Sequence, residues 1–234
     1  METPWPGQRA GFSAALKKGR DIAVIAEYKR ASPSKGEINL GLGPEEVAAA
    51  YAASGAAALS VLTEEDYFKG ELSFLERMSS PGLPLLRKDF IFDSLQVEQT
   101  ASTPASAVLL IARMFENARG LQALCDKCAA CGLEAVVEVF DRKDLDMAKT
   151  VGAGIIQVNN RDLDTLKTDL AVSAGLVRAK EEGEVWISAS GITRSEELSR
   201  MKDLGFDAAL IGTWLMAGGD PGARLEALIK GEAA

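Results

Sequence analysis

"AVIAEYKRASPSKG", Ala23 to Gly36, begins as a short apolar run of the kind that makes a buried strand. Val24, Ile25 and Ala26 then run straight into Glu27, Lys29 and Arg30. Charged side chains are almost never fully buried unless they are paired, so a core strand ending in three of them needs a reason. Side chains alternate along a strand, which puts Glu27 and Lys29 on one face. If that face is the inside of a closed sheet, the two can share a pocket with charges from other strands.

The rest of the chain repeats the opening pattern. Short apolar runs occur at Ile22–Ala26, Ala58–Leu62, Leu83–Leu86, Ala107–Ile111, Ala135–Val139, Ile155–Val158, Val185–Ala189 and Ala208–Ile211. Amphipathic stretches lie between them: Pro44–Ala53, Ser94–Ser102, Asn117–Cys131, Arg142–Thr150, Val172–Glu182 and Ser195–Leu204, with Ala223–Ile229 closing the chain. Alternating strands and helices predict a parallel sheet with helices outside it. Eight such units in 234 residues predict an α/β fold, a single-domain (β/α)8 TIM barrel. The competing open, doubly wound sheet usually carries a Gly-rich fingerprint after its first strand, and "EYKRASPSKG" contains none. The barrel is expected to occupy residues 21–234, behind an extension over 1–20 with a short helix at Phe12–Lys18.

In this fold the chemistry sits at the C-terminal ends of the strands. Those ends carry Glu27 and Lys29 on the first strand, Lys88 of "LRKDF" on the third and Glu138 of "VVEVF" on the fifth. Asn159 and Arg161 of "VNNRD" follow on the sixth. Two carboxylates and two ammoniums would neutralise one another there. A purely structural layer of salt bridges is the competing reading, although barrel interiors are mostly filled by branched apolar residues. "SASGI" and "IGTW" place Gly191 and Gly212 at the ends of the last two strands, where this fold commonly builds a phosphate site. Glycine lets backbone N–H groups approach a phosphate closely. Ser190, Thr213 and, from the first loop, Ser32 add hydroxyls.

Composition narrows the chemistry. The chain has no histidine, so Ser-His-Asp and Cys-His nucleophile systems are impossible and acid–base work falls to Glu, Asp, Lys, Tyr or Cys. The net charge of −8 argues against nucleic acid as the main partner while leaving room for a small phosphorylated ligand. Cys125, Cys128 and Cys131 are spaced three apart on one expected helix, so they drift along a stripe instead of surrounding a point, and no metal is expected. With no membrane span and no signal peptide in view, the expectation is a cytoplasmic protein, a monomer or weak homo-oligomer.

The motifs "IAEYKRASPSKG", "LTEEDYFKG", "LPLLRKDFI", "AVLLI", "VNNRDL", "SGI" and "IGTWLM" run in order from Ile25 to Met216, within a likeness that begins at about Phe12. Together they resemble indole-3-glycerol-phosphate synthase, an enzyme family of tryptophan biosynthesis. "AEYKRASPS" with "RKDF" speaks against phosphoribosylanthranilate isomerase and the tryptophan synthase α subunit. The resemblance implies a carboxy-lyase that closes the indole ring of 1-(2-carboxyphenylamino)-1-deoxyribulose 5-phosphate, losing CO2 and water without a cofactor. It implies Lys88 as general acid, Glu138 as the carboxylate for later proton transfers and Lys29 on the anthranilate carboxylate, tuned by Glu27. Asn159 and Arg161 would orient these groups, and Ser32, Ser190, Gly191, Gly212 and Thr213 would hold the phosphate. Phe68, Phe90, Leu110 and Leu163 would wall the aromatic ring. Two departures stand out. The family's "ESGI" carries a Glu where this chain has Ala189, a gap that Trp186 or Trp214 could crowd. The family's longer N-terminal helix, which covers the barrel mouth, would be represented here by Phe12–Lys18. A non-catalytic, phosphate-binding relative is the alternative reading.

Overall fold

A computed structural model describes residues 3–19, 21–162 and 165–232. Eight parallel strands close into a barrel: β1 (Ala23–Tyr28), β4 (Ala58–Leu62), β5 (Leu85–Lys88), β6 (Ala107–Ile111), β7 (Glu134–Val139), β8 (Ile155–Asn159), β9 (Val185–Ala189) and β10 (Ala208–Ile211). The two missing numbers belong to a small hairpin, β2 (Ala31–Ser32) with β3 (Gly36–Glu37), in the loop after β1. Each barrel strand pairs with its neighbour in sequence, and β10 returns to β1.

One short helix, α1 (Phe12–Leu16), precedes the barrel, and the others lie outside it: α2 (Pro44–Ala53), α3 (Phe74–Arg77), α4 (Ser94–Ala101), α5 (Ala118–Ala130), α6 (Arg142–Thr150), α7 (Ala171–Leu176), α8 (Ser195–Asp203), α9 (Thr213–Met216) and α10 (Pro221–Lys230). Their boundaries follow local chemistry. Pro44 and Pro221 open α2 and α10, where a missing N–H costs nothing. Asp93, Asn117, Asp141 and Asp220 accept hydrogen bonds from the first free N–H groups of α4, α5, α6 and α10. The stretch expected as one helix over Val172–Glu182 ends sooner: α7 stops at Leu176, tightens to a 3-10 turn over Val177–Ala179, and the backbone is extended at Lys180. Gly175 weakens that helix from within.

Because both faces of the sheet are covered, the strands read as continuous apolar runs. Val24, Leu59, Leu85, Val108, Leu110 and Ile156 face the helices. Ile25, Ala58, Leu86, Leu109, Val136, Ile155, Ile187 and Leu210 fill the barrel axis.

Phe12 and Leu16 of α1 belong to this inner core. Burying each contributes roughly 1.5–3 kcal/mol. No side chain of its own caps α1; Glu134, the first residue of β7, reaches across to accept from Phe12 N–H at 2.6 Å and Ser13 N–H at 3.1 Å. Glu134 stands at the N-terminal end of its strand, so α1 seals the bottom of the barrel. It does not cover the mouth, as the helix expected there would. Among the described residues, no helix is long and apolar enough to cross a membrane.

Candidate active site

Glu27 explains the charged end of β1. Its side chain points inward, is 1% exposed, and pairs with Lys29 Nζ at 2.6 Å and Lys88 Nζ at 3.3 Å. Burial alone would raise its carboxyl, but the two ammoniums outweigh burial and hold it at about 2. Ser60 on β4 adds a hydroxyl at 3.4 Å. Glu27 also needs space from β10: a Cβ on Gly212 would stand 2.2 Å from Glu27 Oε1. Gly212 thus serves as the seat of this carboxylate, a role its place at a strand end does not reveal.

The two lysines differ. Lys29 is lowered, because burial and the neighbouring Lys88 charge together outweigh Glu27. Lys88 is raised: burial opposes its charge, but Glu27 and Glu138 overcome that. Lys88 is aimed from behind by a locked turn. Arg87, on the outer face of β5, donates to Asp89 at 2.9 Å and to Thr63 at 3.0 Å, and Thr63 donates to Asp89 at 2.6 Å.

Glu138 and Asn159 face the same axis, brought there by the pairings Ile111 with Glu138 and Glu138 with Gln157. Asn159 Oδ1 accepts from Arg161 N–H at 3.0 Å, and Arg161 Nη1 reaches Ser34 Oγ at 3.0 Å across to the first loop. Asn160, unremarked in the sequence, ties β8 to β9 by donating to Ser188 Oγ and to the carbonyls of Ala189 and Ser190.

These groups floor a cleft of about 780 Å³, counting the part open to solvent, within the range of small-molecule sites. Phe68 and Phe90 wall one side, their ring centroids 6.4 Å apart, and Lys29 Nζ lies 5.8 Å from the Phe68 centroid. Leu109 and Ile111 wall the other. Leu110, expected there, is corrected: it is fully buried among the helices, one residue out of phase with the inner face. Leu163 lies outside the described residues; Leu166 of the same loop lines the cleft. Ser32, Ser190 and Thr213 line the far end. Gly191 and Gly212 flank that end through their backbone without forming its wall. Ser190 and Gly191 turn left-handed, with φ of 70° and 89°. A Cβ on Gly191 would stand 2.4 Å from Thr168 Cγ2.

Ala189 is inward-facing and fully buried, in register with Asn159 and Leu210. Neither tryptophan enters its space. Trp186 packs in the outer core with its indole N–H on Glu184, and Trp214 lies under Arg224, 4.1 Å from the guanidinium. On α5, burial pushes the Cys125 thiol up to about 11 and Cys128 to about 12. Among the described residues no group of three or more His, Cys, Asp or Glu could hold a metal ion.

Residues 3–228 match the family model for indole-3-glycerol phosphate synthase. The chain belongs to the indole-3-glycerol phosphate synthase family. A relative of that name from Carboxydothermus hydrogenoformans is 44% identical over 91% of this chain and 80% of its own length. Another, from Dehalococcoides mccartyi strain CBDB1, is 43% identical over 98% of this chain and 88% of its own. Among solved structures, 3-hexulose-6-phosphate synthase superposes with a TM-score of 0.70 at 15% identity, over 91% of this chain and all of that one, a likeness of fold alone. At the floor of the cleft Lys29, Lys88 and Glu138 stand together above the buried Glu27, while Ala189 at the end of β9 is apolar.

Proposed function

We propose that this chain is an indole-3-glycerol phosphate synthase, acting on 1-(2-carboxyphenylamino)-1-deoxyribulose 5-phosphate. The observation that carries the reading is the meeting of Lys29 and Lys88 on the single buried carboxylate of Glu27, beneath an aromatic wall. The substrate has an aromatic ring, a carboxylate and a phosphate, and the cleft offers a fitting surface to each. The ring lies against Phe68, Phe90, Leu109 and Ile111. Its carboxylate meets Lys29, and the phosphate lies toward Ser32, Ser190 and Thr213 and the backbone at Gly191 and Gly212.

The ring carbon bearing the carboxylate attacks the ketone carbon while the Lys88 ammonium gives a proton to the ketone oxygen. The bond to the carboxylate then breaks, CO2 leaves, and the electron pair restores the aromatic ring. The new hydroxyl leaves as water after taking a proton. The neighbouring carbon loses a proton to Glu138, which forms the second double bond of the indole. Lys88, kept charged by Glu27 and Glu138, enters the cycle with its proton in place. Lys29, lowered by burial, gives up its proton more readily and serves the departing water. Asn159 accepts from the Arg161 N–H and Arg161 reaches Ser34, so the pair braces the loop after β1 over the cleft.

The test is direct. Purified protein incubated with the substrate should produce indole fluorescence with CO2 released in step. No fluorescence from a folded preparation at micromolar concentration would sink the reading.

A further inference from the structure

Gln157 is the one inward polar side chain of β8 that the reaction as described leaves unused. Ile156 and Val158 face the helices and Ile155 the axis, so Gln157 points inward, and it is fully buried. It lies below the cleft, outside its lining, and pairs in register with Glu138. Its Nε2 donates a short hydrogen bond to Glu138 Oε2. Its Oε1 is buried and has no hydrogen-bond partner among the described residues.

Stability alone does not account for such a residue. A buried amide with one unpaired end is worse for folding than an apolar side chain of the same size. What the amide supplies is a donor aimed at a carboxylate. The opposite amide orientation would set oxygen against oxygen, so hydrogen-bond chemistry assigns Nε2 to this contact.

We propose that Gln157 is a positioning residue for the last proton abstraction: by tying down Oε2 it fixes the rotamer of Glu138 and leaves Oε1 as the oxygen that takes the proton from the substrate. Gln157 touches no reacting atom and acts only through Glu138. The inference rests on the ring-closing function proposed above.

The experiment compares wild type with Gln157→Met, Glu138→Gln and the double variant, by steady-state kinetics, thermal melts and crystal structures. Gln157→Met keeps the length and removes the donor. The expected result is a fall in kcat of about ten- to hundred-fold with KM within about twofold, since a hydrogen bond to a charged group is lost. In the Glu138→Gln background the same change should have almost no further effect, because the two residues act as one unit. The crystal structure of Gln157→Met should show Glu138 in another rotamer or in several. Equal losses in both backgrounds, or an unmoved Glu138, would overturn the proposal. If Gln157→Met does not fold, Gln157→Leu and the double variant, which buries no unpaired carboxylate, carry the same comparison. An inactive wild type would refute the ring-closing function, whereas the Glu138 rotamer would still decide the role of Gln157.

Discussion

Replacing Glu27 by Gln removes the one charge that both lysines share while keeping its shape and its contact with Ser60. Two routes lead to the size of the effect. Breaking a buried ion pair by removing one partner costs about 3–5 kcal/mol. Linkage gives a similar figure: a carboxyl held at about 2 in the fold and near its ordinary 4.5 in the unfolded chain contributes about 3 kcal/mol. The folded value is depressed, so this stability is present above pH 4.5 and is lost as pH falls toward 2, about half of it by pH 3. In a domain of this size the melting temperature at pH 7 should drop by roughly 6–12 °C. Catalysis should change in a separate and recognisable way. Glu27 raises both lysines, so without it both release their protons at lower pH. The basic limb of the kcat/KM profile should therefore move down. The assay is indole fluorescence across pH 6 to 10, with melts at pH 7 and pH 3 for both proteins. A Glu27→Gln protein within about 1 kcal/mol of wild type at pH 7, with a superimposable pH profile, would refute the claim that Glu27 holds the two ammoniums in place.

Lys88→Ala should lower kcat by roughly 10²–10⁴-fold in a protein that still folds, with a smaller drop in melting temperature than Glu27→Gln because Lys29 still pairs with Glu27; more than a tenth of wild-type activity would remove Lys88 from the role of acid. Gly212→Ala should cost both activity and stability, because its Cβ would stand 2.2 Å from Glu27 Oε1, whereas an active variant with an unshifted Glu27 would show that the seat is loose. Phosphate soaked into crystals should contact backbone N–H groups beside Gly191 and Gly212, and density confined to other places would disprove a phosphate end at β9 and β10.

Strand ends were legible because inward charges on apolar runs have few explanations, and Glu27, Lys88, Glu138 and Asn159 meet around one axis. Phase was not legible where a strand is apolar on both faces. "AVLLI" offers Leu109, Leu110 and Ile111 with no polar residue to set the alternation, so Leu110 read as a cleft wall although it faces the helices. Pairing of Ile111 with Glu138 decides the phase, and pairing is a tertiary fact. Gln157 was overlooked for the opposite reason: it is one amide inside a run read as plain strand. Its partner lies on another strand, and only the partner gives it meaning. The short helices α3 and α9 have too few residues to show a period.

Ala189 tests whether the cleft still has a place for the carboxylate that the resemblance in "SGI" leads one to expect before it. A Glu here would leave β9 toward the axis, between Asn159 and Leu210. Both tryptophans that could have closed that space lie outside the barrel, so crowding must come from inner residues. Charge is the second constraint. On the floor Lys29, Lys88 and Arg161 stand against Glu27 and Glu138, while Asp89 is neutralised by Arg87 and Glu64 at the rim is turned to the backbone N–H groups of Asp66, Tyr67 and Phe68, which leaves one positive charge on the floor for the substrate's own carboxylate. A third carboxylate would cancel it and weaken binding, while a charged hydrogen bond made in the transition state is worth about 1.5–3 kcal/mol, or roughly ten- to hundred-fold in rate. The larger effect should win, because the repulsion faces a cleft open to water. Ala189→Glu should therefore raise kcat by about tenfold and KM by less, for a net gain in kcat/KM. Steady-state kinetics on the two proteins, with melts to confirm folding, decide it. A folded variant with unchanged or lower kcat/KM would mean that the inner residues around Ala189 have rebuilt the site so that a carboxylate is no longer of use.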